Sequence, residues 1–322
     1  MPQPRATLAV VVALLAIGID IGVARLGYGL LLPSIRGELG GSYGVYGAIG
    51  AAHLAGYLGG TLCAPRLLRD RARVPRIIVL AHVVVAASLA ASAAGGVVLL
   101  GIARVVVGLA SGVGIAAAIT DTLERVPVPR RAFASAVAWS GAGVGLIVSA
   151  PAGAWSLGDP SRWRVATLAG ALAALALALI ATRLKPHVVV EAAAMSGDVP
   201  FAWRDVLRPR NVFFVSAYAA FGIAYISYAT FAVAAFAARG LAPPVVAVVW
   251  SALGVATIAG ALGIVPVLRG RNARFAFILP FVTGALGCWI SSLPGVVAPI
   301  AGALCVGIGL SATPAVASAF AR

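Results

Sequence analysis

Long apolar runs are the feature that most restricts how this 322-residue chain can fold. A helix that crosses a bilayer needs roughly 20 consecutive, mostly apolar residues. Ten runs of this kind predict an all-α integral membrane protein with ten transmembrane helices. The runs are Leu8–Leu32, Tyr43–Cys63, Ile77–Ala94, Val97–Ile119, Phe133–Trp155, Val165–Thr182, Val212–Ala238, Val245–Leu268, Phe275–Ser291 and Val296–Phe320. Only 10% of the residues are charged, which excludes disorder and almost any soluble enzyme.

The basic residues predict how the chain is oriented. If the N-terminus is cytoplasmic, eighteen of the 24 basic residues fall in cytoplasmic segments and four in outer loops. The remaining two, Arg25 and Arg104, lie inside predicted helices. This is the positive-inside pattern, and it accounts for the net charge of +15 without a nucleic-acid partner. We therefore expect a multi-pass protein of the bacterial inner membrane with a cytoplasmic N-terminus.

Three landmarks recur at a spacing of about 200 residues, which predicts an internal duplication. The pairs are Gly22–Tyr28 with Gly222–Tyr228, Pro65 with Pro266, and Val97–Gly108 with Val296–Gly307. The predicted units are a six-helix bundle at 1–182, a cytoplasmic linker at 183–210 and a four-helix bundle at 211–322. The same shift maps Ile119 onto Ala319. We therefore expect counterparts of the fifth and sixth helices to be missing after Arg322.

Several motifs resemble those of the major facilitator superfamily (MFS). Arg104-Val-Val-Val-Gly108-Leu-Ala-Ser-Gly112 resembles its fourth-helix motif, and Asp70-Arg71 resembles part of its cytoplasmic signature loop. Gly22–Pro33 and Tyr225–Phe231 resemble the uncharacterised branch of the YbfB/YjiJ kind. The resemblance implies the MFS fold of two pseudo-symmetric bundles, a secondary transporter, and a gating role for the loop with Asp70 and Arg71.

In that family plan, helix two meets helix eleven across the halves, and helix five meets helix eight. Gly56, Gly59 and Gly60 would give the second helix the small face that such a contact needs. Gly141–Gly145 on the fifth helix would also allow a close approach of backbones.

Ionisable residues in the middle of a membrane are functional hypotheses by default, because they are costly to insert. We expect Asp20, His53 and Arg104 to carry proton coupling. Asp20 and Arg25 are five residues apart, about 140° around an α-helix, so Asp20 needs a partner on another helix. His53 and Arg104 are the candidates. The alternatives are a permanent Asp20–Arg104 brace and a packing role for His53. His82, Asp121 and Glu124 are expected to have no special role.

Arg25 and Tyr28 lie three residues apart, on one helical face. They predict an anion or carboxylate clamp with an aromatic wall, and Arg104 would assist it. Further substrate-binding candidates are the aromatic residues Trp139, Tyr225 and Tyr228. The alternatives are an arginine that extends to the membrane surface and aromatic rings that only pack.

The motifs exclude other classes of protein. The chain has no GxxxxGK[ST] loop and no HExxH motif, and its three cysteines have no CxxC spacing. We therefore expect neither an enzyme nor a metal, and no cofactor. The predicted function is secondary active transport of a small, anionic organic solute, coupled to protons, by alternating access. The alternatives are multidrug efflux and a truncated product that inserts but transports poorly.

Overall fold

The computed structural model describes residues 4–186, 208–269 and 273–320, and within these ranges it is helical with no β-strand. The first span consists of α1 (Pro4–Ile17), a π-helical segment (Gly18–Leu26) and α2 (Gly27–Leu39). The following helices are α3 (Tyr43–Leu67), α4 (Val74–Ala94), α5 (Val97–Arg125), α6 (Arg131–Leu157), α7 (Trp163–Ala181), α8 (Pro209–Ala238), α9 (Pro243–Arg269), α10 (Ala273–Ser292) and α11 (Val297–Phe320).

Each of the ten predicted runs coincides with a helical element. Seven helices among the described residues are long and apolar enough to cross a membrane, and two shorter apolar helices, Ile278–Ser292 and Val297–Ala312, accompany them. The helix α3 is 25 residues long but is not among the seven. Its glycines, tyrosines and His53 lower its hydropathy relative to its neighbours.

The helices pack as two sets, the first from α1 to α7 and the second from α8 to α11. In the first set, α3 and α4 pack against α5, α4 packs against α7, and the π-helical segment packs against α6. In the second set, α9 and α10 both pack against α11. The sets meet where α6 contacts α9 and where α2 contacts α8. These contacts place the middle of the first span next to the boundary between the sets.

Glycines allow the closest helix approaches. A Cβ on Gly56 or Gly60 of α3 would collide with the backbone of Val105 or Leu109 on α5. Gly56 and Gly60 therefore pack against α5 inside the first set, so the interpretation of these two glycines as a face for a helix of the other half is wrong. Between the sets, Gly143 of α6 and Gly254 of α9 face each other, and a Cβ on either would meet the carbonyl oxygen of the other.

We expect Gly60→Ala to lower the thermal unfolding midpoint of the purified protein by several degrees. The added methyl group meets the backbone of Leu109, and forcing extra volume into a packed interface costs about 1–3 kcal/mol. Gly59→Ala is the matched control, because no atom lies within 4 Å of its added Cβ. Scanning fluorimetry in detergent measures both, and equal midpoints would contradict this account of the α3–α5 contact.

Candidate transport site

A narrow cavity lies between the two sets of helices and is lined by four of the eight residues predicted for coupling and substrate binding. It is lined from the first span, α3, α5 and α8. The lining residues are Arg25, Leu26, Tyr28, Gly50, His53, Leu54, Arg104, Ile226, Ala229 and Thr230. The structure therefore brings Arg25, Tyr28, His53 and Arg104 together.

Arg104 is held in place from two sides. It is 4% exposed, and its Nη1 donates a hydrogen bond of 2.6 Å to the carbonyl oxygen of Ala24. Its guanidinium carbon lies 4.5 Å from the centre of the Tyr28 ring, a cation–π distance. The Tyr28 hydroxyl in turn donates to the carbonyl oxygen of Tyr46 at 2.8 Å. The Nε of Arg104 is buried without a hydrogen-bond partner among the described residues.

Arg25 reaches toward both halves of the molecule. Its guanidinium carbon lies 4.0 Å from the centre of the Tyr57 ring on α3. Its Nη1 lies 3.5 Å from the hydroxyl of Tyr225 on α8, at the limit of a hydrogen bond. Its Nε and Nη2 are buried and have no hydrogen-bond partner in the described part of the chain. The site therefore contains several guanidinium N–H donors that remain available.

His53 completes the polar wall. Its Nδ1 lies 3.0 Å from the backbone carbonyl oxygen of Arg104. A carbonyl oxygen only accepts, so Nδ1 carries a proton and donates. Its Nε2 is buried and has no hydrogen-bond partner among the residues that the structure describes.

The site is cationic. Within the described ranges, no carboxylate lies within 4.0 Å of Arg25 or Arg104, and the ion pairs found all involve other residues. A buried charge without a counter-charge is strongly disfavoured, so a bound anion would stabilise these two guanidinium groups.

A second, larger cavity adjoins the first. It measures about 140 Å³ and lies within the first set, between the first span and helices α4 to α7. Its lining is mainly apolar, with the hydroxyl groups of Ser92, Ser149 and Thr167. Tyr28 and Arg104 line both cavities, so their side chains stand between them.

Asp20 lies next to a histidine that was not among its predicted partners. Its Oδ2 lies 3.3 Å from Nε2 of His82 on α4, and both side chains are completely buried. The expected pairing with His53 or Arg104 is wrong, because the neighbour of Asp20 is His82, for which no role was expected. Asp20 lies in the π-helical segment, so the angle of 140° expected for Asp20 and Arg25 on an α-helix does not apply.

The structure places the remaining aromatic candidates in three different surroundings. Tyr225 contacts Arg25, whereas the Tyr228 hydroxyl shares a hydrogen bond of 3.1 Å with the Ser291 hydroxyl. Trp139 packs against the main hydrophobic core and does not line the cavity that holds Arg25. Tyr57 was not among the predicted substrate-binding residues. It lies four residues after His53 and therefore shares its helical face.

The predicted gating loop is linked to the end of α5. Arg71 Nε lies 3.1 Å from Glu124 Oε1, and Asp70 pairs with Arg73 within the loop at 2.8 Å. Next to Glu124, Arg125 forms two hydrogen bonds of 2.7 Å with Asp121. Asp121 and Glu124 therefore each have an ion-pair partner.

We expect Glu124→Gln to change the initial transport rate by less than about fivefold, because a partly exposed ion pair contributes only about 0–1 kcal/mol. The double variant Arg71→Gln/Glu124→Gln should then match the single variant, since both remove the same contact. Asp159→Asn, which removes an exposed ion pair elsewhere, is the control. Fully additive effects of the two substitutions would show that the pair does not act as a unit.

Two sets of helices around a cavity with buried polar residues are the arrangement of secondary transporters of the MFS type. The family model described as "Uncharacterised MFS-type transporter YbfB" matches residues 16–322, so the chain belongs to this family of multi-pass membrane transporters.

Solved structures show the same fold. A D-xylose-proton symporter matches with a TM-score of 0.66 and 13% identity, over 100% of this chain and 87% of that one. A bacterial homologue of the human lysosomal transporter Spinster, inward-facing and unoccupied, matches with a TM-score of 0.69 and 17% identity, over 98% of this chain and 76% of that one. No curated protein matches the chain.

Proposed function

We propose that this protein is a secondary active transporter of small organic anions, coupled to protons, in the bacterial inner membrane with its N-terminus cytoplasmic. One observation carries the anion specificity. Arg25 and Arg104 both line the cavity between the two sets of helices, and no described carboxylate lies within ion-pair distance of either. The negative charge of the substrate would supply the counter-charge that these two arginines lack.

The free donors indicate how an anion would be held. A guanidinium group binds a carboxylate through two parallel N–H···O bonds. Arg25 offers Nε and Nη2 for such a bond pair, and Arg104 offers Nε. The rings of Tyr57 and Tyr28 lie against the two guanidinium groups and limit their movement. The cavity has room for about one water molecule in this arrangement, so a small carboxylate would reach these donors once the two sets of helices move apart.

The helix contacts support alternating access. The cavity lies between α2 and α3 on one side and α8 on the other, and α2 and α8 are in direct contact. Rocking one set of helices against the other about such a central site would expose the cavity to each side in turn. The excess of basic residues in alternate loops supports the cytoplasmic N-terminus.

The multidrug-efflux alternative is less well supported. An efflux site for apolar cations would need a large apolar cavity between the halves, without unpaired positive charge. The cavity between the halves is small and contains two arginines, and the larger apolar cavity lies within the first set of helices.

A panel of four compounds tests the proposal. Lactate and succinate are anionic, glucose is neutral, and tetraphenylphosphonium is cationic. Binding is measured by thermal stabilisation of the purified protein, and uptake is measured in proteoliposomes. We expect the anions to bind to the wild type, and Arg25→Gln to weaken their binding at least about tenfold.

Arg162→Gln is the matched control, because Arg162 is an exposed arginine that also stacks on an aromatic ring, that of Trp155. Binding of glucose or tetraphenylphosphonium alone would overturn the proposed anion specificity. Equal affinity of the wild type and Arg25→Gln for the anions would remove Arg25 from the site.

A further inference from the structure

We propose that Asp20 and His82 hold one proton between them, in a site separate from the anion cavity, and that this proton is the coupling ion. The pair connects the π-helical segment of the first span to α4. Neither residue lines the cavity that contains Arg25 and Arg104. The coupling role rests on the proposed function, whereas the proton site itself does not.

The hydrogen bonding of His82 sets the number of protons. Its Nδ1 lies 2.8 Å from the carbonyl oxygen of Ile78, one turn earlier on α4. That oxygen only accepts, so Nδ1 carries a proton, and in a neutral imidazole Nε2 is then an acceptor. An ionised carboxylate is also an acceptor. The 3.3 Å approach of Nε2 to the Asp20 Oδ2 meets no hydrogen-bond geometry in this arrangement, and it would bring two acceptors together unless one further proton is bound to either atom.

Burial explains why the proton is retained while the pair is intact. Both side chains have no exposed surface, and neither oxygen of Asp20 has a hydrogen-bond partner among the described residues. With the shared proton, the pair has no net charge. Without it, the pair has a charge of −1 in the protein interior, which is strongly disfavoured. The proton would leave only when Asp20 and His82 separate and water reaches them.

Other charged groups do not replace this partnership. No other ion pair involving Asp20 or His82 occurs among the described residues. Helix α5 packs against α4 and the π-helical segment, and its Gly114 lies next to the pair. Along α5, Arg104 is ten residues before Gly114 and Asp121 is seven residues after it. These two charges are therefore about 15 and 10 Å from Gly114 along the helix axis. The other charged residues on the elements around the pair are Arg5, Arg25, Arg36, Glu38, Arg76, Glu124, Arg125, Arg131 and Arg164.

The π-helical segment connects the proton site to the anion site. It contains both Asp20 and Arg25, and single π-helical turns occur frequently at functional sites. A movement of Arg25 toward a bound anion would therefore be transmitted along one short segment to Asp20. The space around the pair is also tight. A Cβ on Gly114 would lie 3.1 Å from Cε1 of His82 and 3.6 Å from Oδ2 of Asp20.

The transport test separates exchange from accumulation. Exchange of lactate or succinate across the membrane needs no net proton movement, whereas accumulation driven by an imposed pH gradient does. We expect Asp20→Asn and His82→Gln to lower the accumulation ratio at least about tenfold while exchange and anion binding persist. Asp159→Asn is the matched control, because Asp159 is an exposed aspartate in a loop. Accumulation at the wild-type level in both variants would overturn the coupling role.

A spectroscopic test uses the wild-type protein alone, so it requires neither a substrate nor a variant that still folds. Solid-state NMR of wild-type protein with nitrogen-15-labelled histidine reports which ring nitrogens carry protons, and the chain has only three histidines. At about pH 8 a free imidazole is neutral, because its pKa is about 6.5. We expect one histidine with a protonated Nδ1 whose Nε2 still carries or shares a proton at this pH.

The outcomes distinguish the two proposals. If every histidine shows an Nε2 without a proton or a hydrogen bond at this pH, the shared proton is absent and the inference fails. If the shared proton is present but neither lactate nor succinate binds, the anion proposal fails and the proton site stands.

Discussion

Replacing Arg104 with alanine is expected to abolish transport of an anionic substrate in proteoliposomes. The change removes one of the two cations in the cavity and leaves the carbonyl oxygen of Ala24 without its 2.6 Å hydrogen bond. It also removes the cation that lies against the Tyr28 ring. Loss of one buried, hydrogen-bonded charge costs about 2–5 kcal/mol, so we expect anion affinity to fall at least about 30-fold. Isothermal titration of the purified variant measures this loss.

A conservative variant and a surface control define the role of Arg104. Arg104→Lys keeps the positive charge but lacks the planar fork, so it should recover only part of the affinity. Arg36→Ala removes an exposed arginine that stacks on Tyr43, and it should leave affinity unchanged. Anion affinity of Arg104→Ala within about twofold of the wild type would show that Arg104 braces the helices without contacting the substrate.

A bulkier residue at Gly29 is expected to stop the transport cycle while leaving each set of helices folded. A Cβ on Gly29 of α2 would collide with the backbone of Ala229 and Thr230 on α8. Gly29→Val therefore cannot reach the arrangement in which these helices touch. Because alternating access requires both arrangements, we expect uptake to be lost and the α2–α8 side to remain open.

Labelling of a cysteine reports this opening. Thr230→Cys places a thiol at the cavity wall, in a background where Cys63, Cys288 and Cys305 are replaced by serine. A membrane-impermeant maleimide should then react at least about tenfold faster in Gly29→Val than in its parent. Gly222→Val is the matched control on α8, because no atom lies within 4 Å of its added Cβ. Equal labelling rates in Gly29→Val and its parent would rule out the steric block.

The main residues of the cavity between the two sets of helices were predictable, because charged residues inside apolar runs are rare and costly. Arg25, His53 and Arg104 stood out for this reason, and Tyr28 followed from its spacing to Arg25. Tyr57 could have been found in the same way, because it lies four residues from His53. The loop pair Arg71–Glu124 could not, because charges near helix ends have many partners within reach.

The partner of Asp20 could not be predicted from helix periodicity. Periodicity assumes an α-helix, and the π-helical segment changes the direction of every side chain from Gly18 to Leu26. Asp20 and His53 lie at a similar depth in the membrane, which made His53 a candidate partner of Asp20. Depth alone does not determine which of several neighbouring helices a side chain faces. His82 was itself an ionisable residue inside an apolar run, and the general cost of such residues was the available signal.

The small faces of the helices were predictable, but their partners were not. Alanine, valine and glycine occur throughout these segments, so a glycine pair indicates a close approach without naming the opposite helix. The pattern Gly56–Gly60 therefore fits a contact with α5 as well as a contact across the halves.

The contact between Gly143 and Gly254 has a consequence for the energy of the transport cycle. At this crossing of α6 and α9, backbone meets backbone, and neither glycine has a side chain to interlock. A rotation of one set of helices about this point moves the backbone atoms at the crossing very little, although the side chains of Ile147 and Ile258 flank the two glycines. We expect the free energy to vary little with the rotation angle at the centre. The relative free energies of the two end states would then depend on contacts far from the rotation axis. A small rotation produces the largest displacement there.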